Sequence, residues 1–246
     1  MKTISKIAFF FAFTSSFTAF GFAGDLELGI FQLNRGEFKE AIAEFEPLLA
    51  EEYSPAQYQM ALIYLNGWGV KKDPQKAFEL LNLASDQNNP DALFSLSLMY
   101  SEGKVVKKDL KTAYTLMEKA ANKNLASAQF NIAVMLADGK GAYKNSQKAA
   151  RWYEKAARQN YALAQFNLAL MYYEGVGVKK STKMSYVWNY IAAKSGYVDA
   201  VKSRDMDENK LSIADIQSGR EHAESLYEQI LVQIDLKAKN AELSRI

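Results

Sequence analysis

Cysteine is absent from the 246 residues, and histidine occurs once, at His222. These gaps exclude disulfide frameworks, structural zinc, cysteine nucleophiles and any chemistry that needs a pair of imidazoles. Excess charge is also lacking, since Lys+Arg 30 against Asp+Glu 28 leaves only +2. A phosphate-backbone binder concentrates basic charge on one surface, so nucleic acid is not an expected partner. What remains is 49% hydrophobic and 24% charged, the balance of a chain that folds. The composition points towards protein partners.

The N-terminus reads as an address. Lys2 and Lys6 precede an apolar, aromatic run from Ile7 to Phe22, and Gly21 and Ala23 occupy small-residue positions before Gly24. This is the pattern of a secretory signal peptide, residues 1–23, cut after Ala23. The alternative is an uncleaved anchor, but the run is 16 residues long, is interrupted by Thr14, Ser15 and Ser16, and falls short of the roughly 20 needed to cross a bilayer. Cleavage removes two lysines and no acid, leaving a formally neutral chain with no stable membrane insertion. An exported chain without cysteine must draw its stability from packing.

The remainder repeats every 36 residues. Ala56, Ala92, Ala128, Ala164 and Ala200 keep that interval, as do Gly67, Gly103, Gly139 and Gly175, and Tyr58, Phe94, Phe130 and Phe166. Asp73, Asp109, Asn145 and Ser181 are N-cap residues, with Pro74 at a tolerated first position. Asn88, Asn124, Asn160 and Gly196 are the types that enter the left-handed conformation after a helix ends. Each unit is therefore a hairpin of helix A, about 55 to 66, and helix B, about 74 to 87. Small residues at Ala56, Ala61 and Ala84 let the two approach, while Tyr64, Tyr100, Tyr172, Trp152 and Trp188 fill between hairpins. One hairpin has too little core to stand alone, so the units must stack. Ala200 starts a fifth helix A whose pattern is lost by Asp205. Ser212 with Asp215 forms a capping box for a final helix to about Lys239.

Two stretches carry a family resemblance: AQFNLALMYYEGVGVKK at 164–180 and KAARWYEKAARQN at 148–160 resemble the Sel-one-like repeat. GEFKEAIAEFEPLL, from Gly36, is similar to the second helix of a tetratricopeptide unit. The expected organisation is a signal peptide at 1–23, an N-terminal capping hairpin at 24–54, four repeats at 55–197 and C-terminal capping helices at 198–246. The sequence departs from the repeat pattern at Ala61, Ser97, Ala133 and Ala169, where the family has glycine, at Val105 in the second loop-glycine position, and at Lys183-Met184-Ser185. The resemblance implies an all-α fold, a right-handed α-solenoid of antiparallel helix pairs that works as a binding scaffold in bacterial envelope or secreted proteins, with no catalytic site and no cofactor. A branch of the family called beta-lactamases carries a disulfide in every repeat, and this chain lacks those cysteines.

Helix A lines the concave side in such solenoids, and three of its positions fall on one face. The first column is Gln59, Ser95, Asn131 and Asn167. The second is Leu62, Leu98, Val134 and Leu170, and the third Asn66, Glu102, Asp138 and Glu174. Amides, an aliphatic stripe and an acidic edge together predict a protein or peptide segment with basic residues as ligand. The alternative is that Asn131 and Asn167 bond within their own scaffold and the aliphatic column packs on the next helix. Lys71-Lys72, Lys107-Lys108, Lys144 and Lys179-Lys180 form a basic ridge before the N-caps, either a second contact surface or solvated turns.

Catalytic patterns are weak. Ser101-Glu102-Gly103-Lys104 matches a serine-hydrolase string but straddles the glycine that ends helix A. His222 has no neighbouring serine and aspartate, and Gly139-Lys140-Gly141 is too short for a phosphate loop. The sequence thus predicts a non-catalytic envelope adaptor, for which a monomer is a compatible state. A secreted virulence factor that meets a host protein is the first alternative, and a beta-lactamase-like hydrolase is the second.

Overall fold

The computed structural model describes residues 24–243; the expected leader and its cut after Ala23 lie outside the described residues. Every regular element described is a helix. A hairpin of α1 (Leu26–Arg35) and α2 (Phe38–Ala50) opens the chain. Four repeated pairs follow: α3 (Ser54–Asn66) with α4 (Pro74–Asp86), α5 (Pro90–Glu102) with α6 (Leu110–Asn122), α7 (Ala126–Asp138) with α8 (Ser146–Ala157), and α9 (Ala162–Glu174) with α10 (Thr182–Lys194). Then come α11 (Val198–Glu208) and the long α12 (Ile213–Leu243). From α1 to α11 each helix packs on its neighbours in the chain, and α12 folds back on α10.

The punctuation residues set these bounds. Gly67, Gly103, Gly139 and Gly175 end the A helices at φ near +75, a conformation that costs other L residues about 1–2 kcal/mol. The side chains of Asp73, Asp109, Asn145 and Ser181 accept from amides two or three residues on, satisfying donors that a helix start leaves free. Asn88, Asn124 and Asn160 turn left-handed at φ 62, 66 and 61, and Gly196 at φ 91. Ser212 Oγ accepts from Asp215 N at 3.1 Å and donates to Asp215 Oδ2 at 2.7 Å, capping α12. Val105 does not adopt the left-handed backbone of Gly69, Gly141 and Gly177, so the loop after α5 takes a different path.

Stacking follows from the small-residue columns. Ala56, Ala61, Ala84, Ala120, Ala156 and Ala192 are fully buried, and inserting methylenes there would force the helices apart at about 1–3 kcal/mol. Ser97 replaces alanine without leaving a buried hydroxyl unpaired, because its Oγ donates to Ala113 O at 2.6 Å. One core cluster joins Phe45 of the first hairpin to Met60 and Ile63 of α3, and another joins Leu81 to Leu96 and Met99 of the next unit. No unit closes its own core.

The aromatic filling is uneven. Trp188 is sealed in a cluster with Ala223, Leu226 and Ile230 of α12, whereas Trp152 is half-buried and carries the Lys155 ammonium 4.1 Å from its ring centroid. The buried residue beside it is Tyr153. The apolar pattern of the fifth helix A fades at Asp205, yet α11 continues to Glu208, and its last turn buries Asp207.

Candidate functional site

The three helix-A columns do share one face. Gln59, Ser95, Asn131 and Asn167 are half-buried, as are Leu62 and Val134. Leu98 and Leu170 are 37% and 44% exposed, apolar side chains that the next helix leaves uncovered. Asn66, Glu102, Asp138 and Glu174 are exposed at the helix ends.

Two cavities interrupt this face. Ser95, Leu98 and Glu102, one residue from each column, line a cavity of about 430 Å³ with Leu65, Lys72 and Met99. A smaller cavity of about 150 Å³ lies between α9, α10 and α11, where Leu170 meets Ser203 and Met206. Those two occupy the first and second columns of the fifth helix A, so the face extends one unit beyond the expected twelve residues. The middle trio Asn131, Val134 and Asp138 lines neither cavity.

The polar groups are partly committed to the scaffold. Asn66, Asn131 and Asn167 each donate from Nδ2 to the carbonyl four residues back, Leu62 O, Ser127 O and Leu163 O, at 2.7–2.8 Å. Their Oδ1 atoms take no part in these bonds. Each amide therefore keeps its Oδ1 acceptor and one of its two N–H donors for the face, with its rotamer fixed by the bond to its own helix. Glu102 pairs with Lys104 at 3.0 Å and Asp138 with Lys140 at 2.8 Å, on exposed side chains where such pairs contribute little stability. The acidic edge is thus screened locally at two of its positions. Burial first, and the field of Asp138 second, push the Tyr153 phenol up to about 12, so it stays a neutral donor.

The lysine ridge has a structural component. A Cβ at Gly103 would lie 2.6 Å from Lys108 Cβ, and one at Gly175 would lie 2.9 Å from Lys180 Cβ. The second lysine of each pair lays its stem over the glycine turn while its ammonium stays exposed. Ser101 lies in the last turn of α5, and the salt bridge to Glu102 draws Lys104 to that carboxylate. His222 is exposed on α12. Among the described residues no three His, Asp or Glu side chains gather as a metal site, and no helix is long and apolar enough to cross a membrane.

Sequence reasoning missed two sets of buried polar residues. Gln57, Gln129 and Gln165 form a buried helix-A column, with Leu93 in the second unit, and Gln129 and Gln165 donate to the end of the unit before. Ser185, Asn189 and Asp207 sit buried together at the floor of the smaller cavity. The glutamines recur at the 36-residue interval, a signal the sequence carries, whereas Ser185, Asn189 and Asp207 each break a hydrophobic column and meet only through the packing of α11 on α10.

Comparison with known proteins agrees with the geometry. The chain is similar in structure to a Sel1 repeat protein from Oxalobacter formigenes, at 23% identity and a TM-score of 0.67, over 79% of this chain and 88% of that one. It is also similar to a protective antigen present in uropathogenic Escherichia coli strains that displays an SLR fold. There the identity is 24% and the TM-score 0.55, over 87% of this chain and 55% of that one. No match was found among curated proteins. The Sel1 repeat model matches four consecutive segments, 54–89, 90–125, 126–161 and 162–197, each spanning one A–B pair and the turn that caps it. With more than half its length in those four segments, the chain belongs to the Sel1 repeat family.

Proposed function

We propose that the chain is a protein-interaction scaffold that takes an extended or helical partner segment along its helix-A face. Sel1 repeat proteins are generally scaffolds of this kind, which supports the class. The observation that carries the site is the apolar stripe left uncovered between units: Leu98 borders a cavity shared with Ser95 and Glu102, and Leu170 borders a second. A cleft with apolar walls and a few polar groups at its rim suits a side-chain-by-side-chain hold on a peptide. The acidic column favours a segment with basic residues. The leader pattern at 1–23 supports export, and we place the scaffold in the bacterial envelope, periplasmic or secreted.

Substituting Asn131, Asn167 and Glu174 together tests the face. Crosslinked partner yield from envelope fractions should fall at least tenfold while the thermal melt is unchanged, and unaltered capture would overturn the assignment. The scaffold reading includes no catalysis, and nitrocefin turnover above background by the purified protein would contradict it.

A further inference from the structure

In the first three units, three core positions hold hydrophobic side chains, of which only Tyr153 carries a polar group. They are Ala77, Ala113 and Ala149; Leu81, Met117 and Tyr153; and Met99, Met135 and Met171 from the helix A that follows. In the fourth, all three change together, to Ser185, Asn189 and Asp207, and all three stay buried at 1%, 3% and 2% exposure. Ser185 Oγ donates to Asp207 Oδ2 at 2.7 Å, and Asn189 Nδ2 donates to the same oxygen at 2.9 Å. Both bonds converge on Oδ2. Asn189 Oδ1 is buried with no hydrogen-bond partner among the described residues. A buried acceptor without a donor is destabilising, and a buried carboxylate without a cation more so. The apolar residues used elsewhere in the array avoid both costs.

This cluster forms the floor of the 150 Å³ cavity, whose walls are Phe166, Leu170, Tyr173 and Met206, with Ser203 as the one further polar side chain in the lining. An apolar shaft that ends on a carboxylate and an unpaired amide oxygen is the complement of an alkyl cation. We propose that Ser185, Asn189 and Asp207 form a socket for the cationic side chain of a lysine or arginine carried by the partner segment. The proposal rests on the helix-A reading above, because Leu170, Ser203 and Met206 continue the columns to the socket's mouth. The methylene stem lies against Phe166 and Leu170, and the N–H donors go to Asn189 Oδ1 and the carboxylate.

Burial raises the Asp207 carboxyl pKa, while the bonds from Ser185 and Asn189 and the field of Lys210 lower it. A bound cation offsets that desolvation. Among the described residues Asp207 has no ion pair. Lys210, the cation whose field reaches it, donates instead to Tyr173 Oη and lies 4.4 Å from that ring's centroid, at the rim.

The test needs no partner. n-Butylammonium and n-butylguanidinium are titrated into the purified protein and followed by the Asn189 side-chain amide and the Met206 methyl resonances, with neutral n-butanol as the control. Saturable shifts with at least one cation, at least tenfold weaker with butanol, are expected, and the better cation identifies lysine or arginine. Asp207→Asn should weaken the cation at least tenfold. The combination Ser185→Ala, Asn189→Leu and Asp207→Met restores array residues, so it should fold and lose the site. Lys210→Met should tighten binding by removing the competing charge. No saturable shift, or equal affinity for butanol or for Asp207→Asn, would overturn the socket. The Asn131, Asn167 and Glu174 variant keeps the socket intact, so its loss of partner capture reports on the helix-A face alone.

Discussion

Gln159, at the end of one hairpin, donates from Nε2 to Gln129 Oε1 at 2.8 Å, tying the end of its hairpin to that hairpin's own helix A. Gln129 donates in turn to the preceding unit, to Asn124 Oδ1 at 3.0 Å and Ala121 O at 3.3 Å. One buried side chain thus joins helix A, the end of its own helix B and the end of the helix B before it. The first unit repeats the tie through Gln87 and Gln57 at 3.1 Å. In the second, Lys123 and Leu93 stand at those positions and cannot make it.

Gln129→Leu should therefore destabilise the array by about 1–2 kcal/mol, the cost of leaving buried partners unsatisfied. In a chain of this size that lowers the thermal midpoint by roughly 2–8 °C. Leu93→Ala, at the equivalent position, should cost about 2–5 kcal/mol through a cavity instead. Urea melts of the two variants check the contrast; an unchanged midpoint for Gln129→Leu would show that the clasp carries no stability.

Much of this architecture was legible in the sequence, because glycine, asparagine and N-cap residues act locally and repeat at a fixed interval. The period, the hairpins and the caps follow from residues such as Gly67, Asp73 and Asn88, whose backbone roles do not depend on distant contacts. The face was less legible. That Asn131 and Asn167 would donate back into their own helices depends on rotamers, and that Glu102 and Asp138 would meet Lys104 and Lys140 depends on the path of the glycine turn. Asp207 was missed for a different reason. A lone acid in a fading pattern reads as solvent-facing, and only the packing of α11 on α10 reveals that it occupies the methionine column.

The loop glycines predict a graded series. A Cβ at Gly141 would lie 2.1 Å from Leu110 O, and the residue sits at φ +78, so Gly141→Ala combines backbone strain with a collision against a helix of the preceding unit. Gly196 is also left-handed, at φ +91, but a Cβ there meets nothing within 4 Å. Gly196→Ala should cost only the conformational penalty, about 1–2 kcal/mol. Gly196→Asn should stay within roughly 0.5 kcal/mol of the parent, because asparagine visits the left-handed region with little strain. Asn88, Asn124 and Asn160 already do so at the same position in the other units. Chemical denaturation should rank the three variants with Gly141→Ala lowest, and equal midpoints for the two alanine variants would contradict the contact.

The long α12 is held to α10 by a carboxylate. Tyr190 Oη and Lys194 Nζ both donate to Glu224, the latter at 2.5 Å. The Lys194 bond first, and the Tyr190 bond second, hold the Glu224 carboxyl below the ordinary glutamate range. A lowered folded pKa gives stability that is present above the unfolded value and lost as pH falls through the folded one. Acidification through the glutamate range should therefore loosen this tie, leaving the apolar contact with Trp188 in place, and raise hydrogen exchange along the first turns of α12 before the central units loosen. Glu224→Gln should show that higher exchange already at neutral pH, with a flatter response to acid. Identical acid profiles for parent and variant would count against the clasp.

Asp207 has the opposite sign. Burial dominates its raised pKa, so ionisation opposes folding. The linked stability is full below the unfolded aspartate value, where the carboxyl is neutral in both states, and is lost as pH rises through the raised folded value. Asp207→Asn imitates the neutral form and keeps an acceptor for Ser185 and Asn189. It should raise the thermal midpoint at neutral pH by about 1–4 °C, the shift that roughly 0.5–1 kcal/mol produces in a chain of this size. The advantage should vanish as pH drops below the unfolded value. A saturating alkyl cation should raise the parent's neutral-pH midpoint and leave that of Asp207→Asn where it was, because only the carboxylate has a charge for the ligand to offset. Calorimetry at two pH values with and without n-butylammonium separates these cases. A variant less stable than the parent at neutral pH would mean that the carboxylate is a net structural contributor, and the cost that distinguishes a binding socket from an ordinary buried hydrogen-bond network would be absent.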